Sequence, residues 1–333
     1  MKVAMVIPPY RYGADPRQWI TVPPQGYGGI QWVVATLMDG LLAAGCEILL
    51  LGAPGSPVQE GVTVSAAVEA PDIHAAIETF GPDIVHDHSN TAALPIGDPR
   101  PTVSTHHLNG MPERQINGIY LSCAQRTAAG SVSAPVIRLP VNPSRYPFQE
   151  AKDDYLLFLG RVSAHKGVHE AAMFAHAAGL PLTVAGPAWE KDYVNALLTD
   201  FPHTVRYVGE VGGSARTRLI ARARAQLVLS QPWGGPFGGR WIEPGATVVS
   251  EAAASGTPVI ASDNGCLPEI VPGVGTVLPV GQEITPSDAK RVLASLPQAK
   301  AVRETAVDRW GHHAIASQYL AVYTRAVRGE VWT

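Results

Sequence analysis

The sequence predicts an α/β protein made of two doubly wound domains, each a parallel sheet covered by helices on both faces. Three observations predict it. Short, continuous apolar runs alternate with longer helix-like segments along the whole chain, which is the pattern of strands buried on both faces. That alternation breaks once, at residues 139–154 (LPVNPSRYPFQEAKDD), where three prolines and paired acids carry no periodicity and read as a linker. The chain has 333 residues, too many for one ordinary core but suited to two of about 150 each.

Taken in order, residues 2–7 form a strand-length apolar run, 30–44 an amphipathic helix and 47–51 the next strand. Further strands are expected at 84–86 and 101–105. After the break, residues 155–159 restart the pattern and run into Gly160. Strands at 182–185, 205–208, 226–230 and 258–262 follow, with helical segments between them and no internal repeat. Ligands of such sheets sit beyond the carboxyl ends of the strands. Two domains facing each other would place a cleft there, with the linker near residues 140–147 as its hinge.

Composition narrows the function. Hydrophobic residues make up 46% and charged residues 16%, so there is ample material for burial and no sign of disorder. A formal charge of −3 argues against a nucleic-acid partner, which asks for a basic face. Cys46, Cys123 and Cys266 are too widely spaced for a metal pair or a disulfide framework and read as thiols in a reducing compartment. The N-terminus lacks a signal-peptide pattern, and no apolar run reaches the ~18 residues of a membrane span. The expectation is a cytoplasmic protein without stable membrane insertion.

Four groups of residues carry chemistry. Gly26, Tyr27, Gly28 and Gly29 precede the first helix, where glycines admit a close ligand and a helix start offers free amides. A diphosphate would fit, and so would a plain tight turn. The nicotinamide fingerprint is missing, and Leu51 runs into Gly52 with no acid to hold a ribose, which argues against a dehydrogenase. His86, His88, His106 and His107 stand at or just past strand ends. His86 and His88 are read as satisfied structural histidines, with metal binding around Asp87 as the alternative. Arg161 follows a strand and a glycine, and Lys166 comes five residues later as a helix begins. Two fixed cations there could stabilise a departing diphosphate, or they could be a solvated loop pair. Seven residues separate Glu243 from Glu251. Pro244 and Gly245 bar a helix at once, while residues 247–255 can form one, leaving Glu243 on a loop and Glu251 about one turn inside. Carboxylates so placed suit vicinal sugar hydroxyls.

G-R-x-x-x-x-K-G at 160–167, E-x7-E at 243–251 and E-A-x-A-x-G-T-P-V-I-A at 251–261, with G-Y-G-G-I-x-x-V-V-x-x-L at 26–37 and P-D-I-V-H-x-H-S at 82–89, together resemble the retaining glycosyltransferases of family four (glycosyltransferase group 1). The resemblance covers nearly the whole chain. It implies the GT-B fold: two Rossmann-like domains facing a cleft, at 1–148 on the acceptor side and 149–312 for the nucleotide-sugar, with residues 313–333 as a helix crossing back to the N-terminal domain. It also implies transfer of a sugar from a nucleotide diphosphate-sugar of UDP, GDP or dTDP type to a small-molecule or oligosaccharide acceptor. Arg161 and Lys166 would bind the diphosphate and Glu251 the ribose. Glu243, Gly245, Ala246, Thr247 and Val248 would hold the donor sugar, and Gly28 and Gly29 would approach the phosphates. His107, in P-x-V-x-T-x-H, would be the active-site histidine. No cofactor is implied beyond the sugar nucleotide as co-substrate, and no D-x-D stands in the chain to bind a metal.

Departures from the pattern matter. The family has a phenylalanine and glycine after Glu243, where this chain has Gly245 and Ala246, and Gln31 stands where many members carry glutamate. The insertion at 11–25 and the loop WGGPFGGRW at 233–241 are similar to a subgroup of avilamycin-type (orthosomycin antibiotic) biosynthesis glycosyltransferases, which implies an antibiotic precursor as acceptor. Two other functions share the fold's features: a nucleotide-sugar epimerase or hydrolase, and a non-catalytic sugar-nucleotide-binding subunit, which the altered loop after Glu243 favours.

Overall fold

A computed structural model describes residues 1–13, 15–89, 99–109, 117–235 and 239–333. Residue 14 of the insertion and residues 236–238 of the WGGPFGGRW loop lie outside the described residues. The chain divides into two compact units, Met1–Pro140 with His312–Thr333, and Val141–Gly311.

The first unit opens with strand β1 (Lys2–Val6), helix α1 (Gly29–Ala43), β2 (Glu47–Leu51) and β3 (Val62–Val64). It continues with α2 (Ala70–Phe80), β4 (Ile84–Asp87), β5 (Thr102–Thr105), β6 (Gly118–Ile119) and α3 (Cys123–Ala128). The second unit comprises β7 (Leu156–Leu159), α4 (Val168–Ala178), β8 (Leu182–Ala185), α5 (Lys191–Asp200), β9 (Val205–Tyr207) and α6 (Gly213–Arg222). After these come β10 (Ala225–Val228), α7 (Thr247–Ala254), β11 (Val259–Ser262), α8 (Leu267–Ile270), β12 (Gly275–Leu278), α9 (Pro286–Ala294) and α10 (Ala299–Trp310). The last helix, α11 (His312–Val327), belongs to the first unit.

Each unit holds one six-stranded sheet, in the orders β3-β2-β1-β4-β5-β6 and β12-β11-β10-β7-β8-β9. Every neighbouring pair is parallel. Both orders are the same doubly wound topology: the chain builds outward from its first strand, then crosses back and builds the other way. The direction reverses between β1 and β4 in one unit and between β7 and β10 in the other, and the crevice at the carboxyl ends of such strands is where ligands bind. Two parallel sheets and a last helix carried back to the first unit are the architecture the sequence predicts.

Apolar spacing explains the layers. In α1 the buried Val34, Leu37, Met38 and Leu41 recur at helical intervals. In α11 Ile315, Tyr319, Val322, Tyr323 and Ala326 do the same, and both faces meet in one core with Val3, Met5 and Ile48. The opposite face of that sheet packs Leu49, Leu51 and Val85 on Ile73 and Ile77 of α2. In β7 Leu157 and Leu159 enter one core while Leu156 and Phe158 enter another, so a period of two is hidden in an all-apolar run. Among the described residues no helix is long and apolar enough to cross a membrane.

Candidate active site

Arg161 and Lys166 leave the carboxyl end of β7, beside the reversal point of the second sheet. Between them the chain makes one 3-10 turn, Ala164–Lys166, and Gly167 then turns it into α4. Gly167 has φ 71, and a Cβ there would lie 1.7 Å from the Leu229 carbonyl oxygen at the end of β10. Only glycine allows both the left-handed turn and that approach. The consequence is that Lys166 stands next to the groups that follow β10.

Chief among these is Glu243, which is 4% exposed. Lys166 Nζ donates to its Oε1 at 2.9 Å and to Oε2 at 2.7 Å. Ser230 Oγ and the Trp241 indole Nε1 also donate to Oε2, at 3.0 and 3.1 Å. Burial pushes the carboxyl upward, but the Lys166 charge and the hydrogen bonds from Lys166, Trp241 and Ser230 outweigh it and hold the group below the usual carboxylate range. The Glu243 backbone is fixed as well. Cys266 N donates to its carbonyl at 2.8 Å, and Gly265, at φ 59, passes so close that a Cβ would sit 2.3 Å from that oxygen.

Arg161 is aimed by His165. Its Nη2 lies 3.0 Å from His165 Nε2, and its guanidinium stacks 4.5 Å over the ring of Trp189. Burial, with the Lys166 and Arg161 charges, lowers His165 to a pKa of about 4, so the ring is neutral and can accept from Arg161 near neutral pH. Ser163 Oγ stands 3.3 Å from Nδ1 and accepts a hydrogen bond from its N–H. The Arg161 Nε–H is buried with no hydrogen-bond partner among the described residues, a costly state that an anionic ligand's oxygen would relieve.

Glu251 forms a second, separate cluster on α7. Tyr146 OH donates to its Oε1 at 2.9 Å and Arg216 Nη2 to its Oε2 at 2.5 Å. Burial and the Glu251 charge raise the Tyr146 phenol, so it stays a donor. The stretch from Gly245 to Val248 connects the two carboxylates and opens α7. Ala246 takes the left-handed conformation there, at φ 48, and the helix has no side-chain cap. Its first amides, at Thr247 and Val248, are therefore left for other acceptors.

In the first unit Gly28 and Gly29 begin α1, again with no side-chain cap. Gln31 lies just inside, fully buried, and its Nε2 has no partner among the described residues. His86 is satisfied at both nitrogens, by Tyr323 OH at 2.6 Å and Thr105 Oγ1 at 2.7 Å. His88 Nδ1 and His107 Nε2 are 2.8 Å apart. Burial first, then neighbouring histidine charge, takes His107 to a pKa of about 3, and burial alone takes His106 to about 4. His107 is thus a neutral hydrogen-bonding group near neutral pH. Asp87 accepts from Ser89 N and Oγ at 2.7 and 2.5 Å. Among the described residues no three His, Cys, Asp or Glu side chains converge as a metal site.

The structure thus gathers Arg161, Lys166 and Glu243 into one cluster and holds Glu251 in another. Sequence reasoning missed His165, Ser230, Trp241, Tyr146 and Arg216. Arg216 did carry a signal, because it shares a buried face with Ile220 four residues on. His165 and Ser230 carried none.

Comparison with known proteins bears on the family and the fold. The family model described as glycosyl transferases group 1 matches residues 145–292. AviGT4, a glycosyltransferase involved in avilamycin A biosynthesis, has a solved structure that is 51% identical to this chain with a TM-score of 0.94, covering 100% of this chain and 99% of that one. A glycogen synthase of Mycobacterium tuberculosis is 26% identical over 92% of this chain and 94% of its own length. HepE of Anabaena, solved with UDP and glucose, is 18% identical with a TM-score of 0.66, over 97% of this chain and 99% of that one.

Proposed function

The chain belongs to the glycosyl transferases of group 1, and from that premise we propose that it is a retaining, metal-independent glycosyltransferase. It would move a sugar from a nucleoside diphosphate to a small-molecule or oligosaccharide acceptor. The observation that carries this reading is the cluster of two cations and an ionised carboxylate where β7 and β10 part. UDP is the first donor base to consider, because HepE is solved with it; GDP and dTDP are the others. The likeness to AviGT4 supports an antibiotic precursor as acceptor.

Each side chain has a role under this reading. Lys166 has three N–H donors and Glu243 takes two, so one remains for a phosphate oxygen. Arg161 brings a second cation with an unpartnered N–H. As the bond from the anomeric carbon to the diphosphate oxygen breaks, its electron pair goes to the diphosphate, and the two cations stabilise that charge by several kcal/mol. The acceptor hydroxyl attacks from the same face, and its proton passes to the departing phosphate oxygen. No enzyme nucleophile is needed. Glu251, aimed by Tyr146 and Arg216, is assigned to the ribose hydroxyls. Glu243 and the stretch Gly245–Val248 are assigned to the donor sugar, Gly28 and Gly29 to phosphate, and His107 to a neutral hydrogen bond with a reactant.

The test is to incubate the protein with UDP-, GDP- and dTDP-sugars and candidate acceptors in EDTA, and to read the anomeric configuration of the product by NMR. A product of retained configuration, absent with Glu243→Ala, is expected. Inversion, or activity that EDTA removes and Mg²⁺ restores, would contradict the mechanism.

A further inference from the structure

The loop at 233–241 ends on Trp241, which is 6% exposed although it belongs to no helix or strand. Its backbone N–H donates to the Pro232 carbonyl at 2.9 Å, closing the loop at its base. Each part of the indole meets a different member of the donor cluster. The N–H reaches Glu243 Oε2 at 3.1 Å. The ring face lies 4.7 Å from Lys166 Nζ. The ring also meets His165 edge to face, with centroids 4.9 Å apart, and His165 in turn holds Arg161. A tryptophan buried only for packing needs one partner for its N–H and apolar neighbours for its ring. This one spends its polar capacity on the residues proposed to hold the donor.

We propose that Trp241 is a positioning residue for the donor site, acting through Lys166 and Glu243. The proposal rests on the donor reading of that cluster. Among the described residues, Oε2 of Glu243 accepts from Lys166, Ser230 and Trp241, whereas Oε1 accepts from Lys166 alone. Trp241 and Ser230 therefore hold Oε2 inward and leave Oε1 as the oxygen with room for a sugar hydroxyl. The indole face keeps the Lys166 ammonium in place while two of its N–H groups donate to Glu243, a cation–π contact strengthened by desolvation. Trp241, at the end of the 233–241 loop, thereby acts on donor binding through Lys166 and Glu243.

The experiment is titration of UDP, with GDP and dTDP in parallel, into the wild-type, Trp241→Phe and Trp241→Leu proteins, each checked for folding by circular dichroism. Trp241→Phe keeps an aromatic face under Lys166 and should bind within about threefold of wild type, while Trp241→Leu should lose roughly tenfold. On a Lys166→Met background the Leu change should cost less than about twofold, the signature of coupling through Lys166. Equal losses from Phe and Leu would show that the ring face does not position Lys166, a Leu loss undiminished on the Lys166→Met background would show packing alone, and either result overturns the proposal. A ligand-free readout stands beside it. The Trp241 indole N–H resonance, identified by its absence in Trp241→Phe, should exchange slowly and shift in Glu243→Gln. A fast-exchanging resonance that ignores Glu243→Gln overturns the pairing. If that resonance behaves as expected and wild type binds no nucleotide, the donor reading fails while the pairing stands.

Discussion

Arg216→Ala would strip the Glu251 carboxylate of its cation while leaving it buried. An uncompensated buried charge costs about 3–5 kcal/mol, whereas Tyr146→Phe removes one hydrogen bond to the same group, worth about 1–3 kcal/mol. Urea unfolding should rank the two in that order, and a smaller loss from Arg216→Ala would mean that the guanidinium does not hold Glu251. A second residue-scale prediction concerns His165. His165→Phe keeps the ring edge against Trp241 but removes the acceptor for Arg161, so nucleotide affinity should fall about tenfold with little change in melting temperature. Unchanged affinity would leave Arg161 oriented by Trp189 alone. Individual site residues were unequally legible. Motif spacing pointed to Arg161, Lys166, Glu243 and Glu251, because charged residues beside strand ends stand out in a chain with so few charges. The pairing of Lys166 with Glu243, 77 residues apart, has no local signature, and neither does that of Arg216 with Glu251. Such partners are chosen by how the strands are ordered in the sheet, which no single segment encodes.

At the scale of elements, α7 begins under strain. Ala246 sits at φ 48, a conformation costing a residue with a Cβ about 1–2 kcal/mol. Ala246→Gly should therefore raise stability, by about 0.5–1 kcal/mol once glycine's greater unfolded-state freedom is offset. A loss of stability would show that the Ala246 methyl contributes packing that the strain argument omits. Elements with a continuous apolar run, such as β1, β2, β7 and β11, were read from sequence within about two residues. Three strands were not: β3 (Val62–Val64), β6 (Gly118–Ile119) and β12 (Gly275–Leu278). All three lie at or next to a sheet edge or are only two to four residues long, and β3 and β12 bury a single residue each. Without a buried face on both sides a strand loses the apolar continuity that makes it visible. Helix α7 was legible with its start, since Pro244 and Gly245 delay it and place Glu251 one turn in.

Across the whole molecule, buried histidines tie stability to pH. His106 and His107 are held at about 4 and about 3, and His86 and His88 well below their ordinary value of 6.5, chiefly by burial. Folded protein therefore binds fewer protons than unfolded chain between those values. Stability is complete above pH ~6.5 and falls as pH drops toward 4, by on the order of a few kcal/mol. Glu243, held low, adds a loss of the same sign once pH falls below its ordinary 4.5. Melting temperatures that stay flat from pH 7 to 5 would contradict the neutral, buried state of these rings. Arg161 and Lys166 are proposed to hold the diphosphate of a sugar nucleotide without help from a metal. The most direct test is calorimetric titration of UDP, GDP and dTDP, in EDTA, into wild type and the Arg161→Ala/Lys166→Ala double variant. One nucleotide should bind wild type, and the double variant should lose it by roughly 10²-fold or more. Equal binding to both proteins, or none to wild type until Mg²⁺ is supplied, would contradict it.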